Sequence, residues 1–358
     1  MSEHSLEIVT LQRPRPSDTS QAAFLSAQIL PGRGMMTLQI TALLPQTGET
    51  DLLYAPSPEK ARELFDSGPE DFPGNPSYLI GGAILIPYAN RIRGAFSPDG
   101  KTVETTILGK TVHLPANAGG RRTGAERYSM HGLVLDSGMD EIGRRTTDEE
   151  DAVTAILRAG DFGGRWPSAA EISFENVLRS DSFTVNITAR NVGEERLPMG
   201  IGWHPYFALP SGRRQQARLH IPARERTLVN DYDEVLPTGE VVPVAGTPYD
   251  FSMPGGKALE GLYLDDCFVD LQAPGGHAVA TVVDPEAAYG LRVLGASPPI
   301  RAFQVYGPPE KDFIVLEPQF NWADPFGGQW RPGMDTGMAL LEPGESVVYS
   351  ARLELFAP

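Results

Sequence analysis

The chain has 358 residues, with 30 Lys+Arg against 46 Asp+Glu for a formal charge of −16. An acid excess of that size supplies no general positive field for a polyanion, which argues against nucleic acid and anionic membrane as partners and suits an uncharged ligand. A hydrophobic share of 41% with 21% charged residues belongs to a folded chain with ample core, and 38 Gly with 32 Pro, placed without a period, point to many turns between short strands.

In chain order, the polar opening with Pro14 and Pro16 lacks the basic-then-apolar order of a secretory signal. Residues 1–24 are therefore expected to form a loosely ordered leader, and 25–358 a single domain. Ser57-Pro58-Glu59 offers an N-cap, a proline for the first turn and an acid behind it, which predicts a short helix ending by Gly68. The most apolar run, Ile80 to Pro87, falls far short of the about 20 residues a bilayer requires, so a cytoplasmic protein is expected. Thr147 and Glu150 have capping-box spacing, yet Val153, Ala155 and Leu157 alternate as a strand does, and local signals leave both open.

Further along, Ile172, Phe174 and Leu178, the polar turn Arg179-Ser180-Asp181, and then Phe183, Val185, Ile187 and Ala189 predict a hairpin. Pro274-Gly275-Gly276 and Pro343-Gly344 join two more pairs of apolar, alternating segments. Repeated antiparallel pairing through short turns predicts an all-β, sandwich-like protein rather than a βαβ series. The single cysteine, Cys267, rules out an internal disulfide and a cysteine-based zinc site.

Six histidines are present. His4, His113, His220 and His277 stand in contexts with no acidic or aromatic cluster. His131 is followed by Gly132, which permits a turn and close backbone approach. His204 lies in Gly202-Trp203-His204-Pro205-Tyr206-Phe207, suited to an aromatic-lined cleft. Glu317 emerges from the apolar run Phe313-Ile314-Val315-Leu316 into Pro318-Gln319-Phe320, where partial desolvation raises its proton affinity toward that of a useful base. Of the adjacent Asp265 and Asp266, strand geometry lets only one face a given site. Asn90 and Arg91 follow the apolar run and could hold hydroxyls of a polar ligand. No phosphate-cradling glycine loop with lysine, Gly-x-Ser-x-Gly elbow or His-Glu-x-x-His helix occurs.

Taken in order, Pro87-Tyr88-Ala89-Asn90-Arg91-Ile92, His131-Gly132, His204-Pro205-Tyr206-Phe207, Asp265 three before Phe268, Phe303-Gln304-Val305-Tyr306 and Leu316-Glu317-Pro318-Gln319 resemble the aldose 1-epimerase, or galactose mutarotase-like, family. The resemblance implies one large antiparallel β-supersandwich with a few short helices, a strand at Val153 to Leu157, and an open cleft. It implies His204 as general acid and Glu317 as general base. Arg91, His131 and Asp265 would bind sugar hydroxyls, with Asn90, Gln304 and Tyr306 as further sugar contacts. No metal or cofactor is implied; the partner is a small sugar, and the protein would act as monomer or homodimer.

Two positions depart from the pattern: Leu133 stands where a second glycine is common, and Asp266 where many relatives have histidine. A cationic His204 is expected, its pKa raised by Asp265 and Glu317. Besides a retaining glycosidase built on Asp265 and Glu317, three alternatives compete. One is a hexose-6-phosphate epimerase using Arg121-Arg122 or Arg213-Arg214 as a phosphate clamp. Another is a non-catalytic carbohydrate-binding protein, which has no need of both His204 and Glu317. The third is a metal site on His131, His204 and a carboxylate.

Overall fold

A computed structural model describes residues 7–358; His4 lies outside them. Two large antiparallel sheets, of eleven and nine strands among the described residues, pack face to face. The centre of the larger sheet runs, side by side, through Gly82–Leu85, Gly202–Ala208, Phe313–Gln319, Ala302–Gly307 and Leu264–Leu271. The second sheet is built on Asp151–Gly160, Ala170–Leu178, Ser182–Asn191, Ser346–Phe356, Tyr289–Gly295 and Ala278–Asp284. The core lies between them. Trp203, Phe207, Phe303 and Phe320 from the first sheet meet Phe183, Tyr349 and Leu353 from the second, all fully buried.

The alternation read at Phe183 to Ala189 is a paired strand, joined to Ala170–Leu178 through the predicted turn with Phe174 facing Ile187. The segment left open by local signals is a strand as well: Asp151–Gly160 pairs with Ala170–Leu178. The capping chemistry before it serves a turn, since Thr147 Oγ1 accepts from the backbone N–H of Glu150 at 3.1 Å. The predicted helix spans Pro58–Asp66 and buries Ala61 and Phe65; Ser57 makes no side-chain cap, so Pro58 at the first turn sets its start. No helix among the described residues is long and apolar enough to cross a membrane.

The leader needs correction. Val9–Gln12 is a strand paired with Ala23–Leu30, and Leu11 is fully buried. Val9 and Leu11 alternate with Thr10 and Gln12, a period-two signal that the prolines downstream obscure.

One ladder is interrupted. Between Gly202–Ala208 and Phe313–Gln319 the pairing stops after Gly202 opposite Gln319 and resumes at Tyr206 opposite Val315. Pro205 and Pro318 fall within the gap, and neither has the N–H that a rung needs. The carbonyl of Pro318 instead accepts from Tyr349 Oη of the opposing sheet at 2.8 Å.

A small three-stranded sheet, Ala118–Gly119, Arg127–Met130 and Arg91–Ile92, sits beside the larger one. Its last turn is held by Gly132, which bridges Ile86 with φ +83°. A Cβ there would lie 2.2 Å from the Ile86 carbonyl oxygen. Gly132→Ala is expected to destabilise the fold by about 1–3 kcal/mol from backbone strain, with the clash adding to it. Urea denaturation midpoints check this, and a variant as stable as the parent would contradict the close approach.

Candidate active site

Strand alternation and register assemble the cleft. On Gly202–Ala208, Trp203 and Phe207 join the core while His204 and Tyr206 face the other way; on Phe313–Gln319, Ile314 and Leu316 join the core and Glu317 does not. Because Gly202 faces Gln319 and Tyr206 faces Val315, the register places His204 beside Glu317. The imidazole Nε2 lies 3.3 Å from Glu317 Oε1. On the neighbouring strands Gln304 stands opposite Glu317, and Asp265 opposite Tyr306.

The small sheet supplies the rest. Met130 pairs with Arg91, and the His131 N–H donates to the Asn90 carbonyl at 2.9 Å. Asn90 (φ +62°) and His131 (φ +65°) are both left-handed, a conformation side chains adopt only when their surroundings impose it. The His131 ring meets the edge of His204 at a centroid distance of 4.9 Å. All eight residues read from the sequence, His204, Glu317, Asn90, Arg91, His131, Asp265, Gln304 and Tyr306, line one cleft of about 170 Å³. Tyr78, Leu79, Met130 and Tyr206 complete it. Of these Tyr206 belonged to the histidine motif. Tyr78, Leu79 and Met130 carry no motif of their own, although Tyr78-Leu79 adjoins the apolar run from Ile80 and Met130 adjoins His131.

Four side chains close a hydrogen-bonded ring. Arg91 Nη1 donates to Asn90 Oδ1 at 2.9 Å, and Asn90 Nδ2 to Gln304 Oε1 at 2.9 Å. Gln304 Nε2 donates to Asp265 Oδ1 at 2.7 Å, and Arg91 Nη2 returns to Asp265 Oδ2 at 3.3 Å. Glu317 Oε2, His204 Nδ1 and His131 Nδ1 are buried in the same cleft without hydrogen-bond partners. Buried polar atoms are ordinarily paired, so three such atoms on residues of a single cleft set this region apart from the rest of the interior.

Burial governs the charges. It pushes Glu317 well above the usual carboxylate range, with Asp265 adding to the effect and Arg91 opposing it. It pushes His204 down to about 4, and the positive charge of Arg91 works in the same direction. His131 is lowered by burial, then by His204 and Arg91. The expected cationic His204 is therefore corrected: removing the imidazole from water outweighs whatever the nearby carboxylates contribute. Both displacements act in the same sense, favouring the neutral imidazole and the neutral carboxyl over their charged forms.

The remaining candidates lie elsewhere. Asp266 points away from the cleft, as strand geometry requires of one of the two aspartates. It pairs with Arg226 at 2.5 Å and accepts from Tyr232 Oη at 3.0 Å, and burial raises its pKa to about 6. Leu133, in place of a second glycine, is buried in the core. Arg122 is paired with Asp231 and Glu234, and Arg214 is buried on the carbonyls of Glu260, Leu262 and Gly307. Neither these arginines nor Arg121 and Arg213 line the cleft. Among the described residues no group of three or more His, Cys, Asp or Glu is arranged to hold a metal ion.

A family model described as aldose 1-epimerase matches residues 53–354. The uncharacterized protein YphB of Escherichia coli strain K12 is 27% identical over 286 residues, covering 76% of this chain and 82% of its own. Human galactose mutarotase is 29% identical over 291 residues, covering 74% of this chain and 75% of its own. Among solved structures, a galactose mutarotase-like protein from Clostridium acetobutylicum has a TM-score of 0.73 at 17% identity, over 99% of this chain and 100% of that one. Galactose 1-epimerase from Lactobacillus acidophilus NCFM has a TM-score of 0.64 at 18% identity, over 99% of both chains. At such identities the structural likeness speaks for the galactose mutarotase-like fold alone, but the family match runs through all the strands that build the cleft. The chain belongs to the aldose 1-epimerase family.

Proposed function

We propose that the protein is a mutarotase, interconverting the α and β anomers of a free aldohexose such as glucose or galactose, with His204 and Glu317 as its acid–base pair. One observation carries the reading: an imidazole and a carboxyl 3.3 Å apart, in a cleft, with their pKa values displaced in opposite directions. The reaction requires one base to take the anomeric hydroxyl proton and one acid to protonate the ring oxygen as its bond to C1 breaks. C1 then turns about its bond to C2, and closure on the other face returns both protons.

A pair with a single proton meets that requirement, because ring opening exchanges its protonated and unprotonated members and reclosure exchanges them back. In the acid role, His204 receives the resting proton from Glu317 across their contact as sugar enters, leaving the carboxylate free to act on the anomeric hydroxyl. Asn90, Arg91, His131, Asp265, Gln304 and Tyr306 are then the hydroxyl-binding and orienting groups. An uncharged substrate suits the cleft, since Arg91 is the only lysine or arginine lining it among the described residues, and Asp265 already holds that charge.

Polarimetry or NMR on freshly dissolved α-glucose and α-galactose tests the activity. The protein is expected to speed their relaxation, and Glu317→Gln or His204→Asn to lower kcat by about 10²–10⁴-fold, the usual contribution of one acid or base. Relaxation equal with and without protein would sink the reading for those sugars; relaxation indifferent to both substitutions would sink the assignment of roles.

The pH profile follows from the two displacements. Below about 4 His204 takes a second proton and the pair has no base. Above the raised pKa of Glu317 the pair has lost its only proton and has no acid. A bell in kcat/KM is therefore expected, its alkaline limb set by Glu317 and its acid limb by His204. A rate that keeps rising with pH beyond the titration of Glu317 contradicts the one-proton pair.

A further inference from the structure

Asn90 and Arg91 occupy an irregular stretch between the small sheet and the strand that carries Glu317. One edge of that stretch is conventional: Met130 pairs with Arg91 and Ser129 with Ile92. The other edge has no partner strand, yet its backbone groups at every second residue are taken. The Pro87 carbonyl accepts from the Gly200 N–H at 2.7 Å. The Ala89 N–H donates to Asn321 Oδ1 at 3.0 Å, and Asn321 Nδ2 donates back to the Ala89 carbonyl at 2.9 Å. The Arg91 carbonyl accepts from the Asp324 N–H at 2.6 Å, and the Arg93 N–H donates to Asp324 Oδ1 at 3.0 Å. The side-chain amide of Asn321 thus exchanges both bonds with one residue, as a facing peptide does in an antiparallel ladder.

We infer that Asn321, seconded by Asp324, is a positioning residue: it takes the place of an absent strand, and so fixes Arg91 and the left-handed Asn90 at a set distance from Glu317, four residues back along its own chain. The chemistry requires an amide. A carboxylate only accepts and a hydrocarbon does neither, whereas Asn presents donor and acceptor in one plane. Asn321 is fully buried, and a Cβ on Gly200 would lie 2.1 Å from its Oδ1, so the amide is boxed in from the side of the strand that carries His204. Releasing it leaves the Ala89 groups unpaired in the interior and removes what obliges Asn90 to keep a positive φ.

The inference adds a residue to the site and rests on the proposed reaction only for its kinetic readout. Two uncharged variants loosen the same latch from different sides: Asn321→Leu removes the amide, and Gly200→Ala displaces it. Asn191→Ala serves as the control, because Asn191 is likewise fully buried and hydrogen-bonded to backbone, on Glu195 and Leu341, away from the cleft.

Arg91 lowers the proton affinity of both Glu317 and His204. Its withdrawal is therefore expected to move the carbon-13 carboxyl titration of Glu317 to higher pH, and both limbs of the kcat/KM profile with it. A fall in kcat/KM of about 10²-fold is expected, the scale of a misplacement near 1 Å. The control should lose stability without moving either titration. If the full-length protein turns over no sugar but the Glu317 titration moves in both variants, the positioning role stands and the proposed reaction fails. If the variants fold and the Glu317 titration stays in place, or the control moves it equally, the positioning role is overturned.

Discussion

Arg91 and Asp265 are both nearly out of water, and a buried ion pair is tolerable only when its remaining donors and acceptors are also taken up. Asn90 and Gln304 take up Arg91 Nη1 and Asp265 Oδ1, each giving one hydrogen bond and receiving one, so that four side chains from three separate segments form a closed circuit, with Arg91 Nε alone left without a partner. The circuit holds the left-handed Asn90 from the side-chain end, with its amide between Arg91 and Gln304, as Asn321 holds it through the neighbouring Ala89 peptide groups. It also explains the contrast between two buried acids. Asp265 is partnered on both oxygens, whereas Glu317 keeps one oxygen bare and meets a neutral imidazole with the other. The desolvation that the circuit offsets in part for Asp265 is left largely uncompensated at Glu317, whose pKa is pushed up the further.

Much of this was legible in the residues. Period-two alternation identified the strands through Ser182–Asn191 and the C-terminal Ser346–Phe356, and the turn residues between apolar runs identified their antiparallel sense. It also required that only one of Asp265 and its neighbour share a face with Gln304 and Tyr306, although not which of the two. The eight side chains chosen for their motifs converge because those motifs sit on adjacent strands of one sheet or on the turn beside it.

What escaped the sequence is what depends on long-range packing. The strand at Val9–Gln12 is too short to stand out from a polar leader, and only its partner Ala23–Leu30 makes it a strand. The paired arginines looked available in sequence, yet Arg214 is held on three backbone carbonyls and Arg122 on two carboxylates. The direction of the His204 shift was misjudged for a related reason. Nearby acids can be guessed from motifs, but the depth at which an imidazole is buried cannot, and here depth decides. The hydrogen-bonded circuit was also beyond reach, since its members lie up to 214 residues apart.

The interrupted ladder has a mechanical meaning. His204 and Glu317 are each followed by proline, so at the level of this imidazole and carboxyl the two strands are not stitched to one another, while above and below they are. Each is laddered on its other side instead, His204 opposite Ala83 and Glu317 opposite Gln304. The two prolines thus leave a seam without rungs where imidazole and carboxyl meet, inside a wall whose flanking ladders run on unbroken.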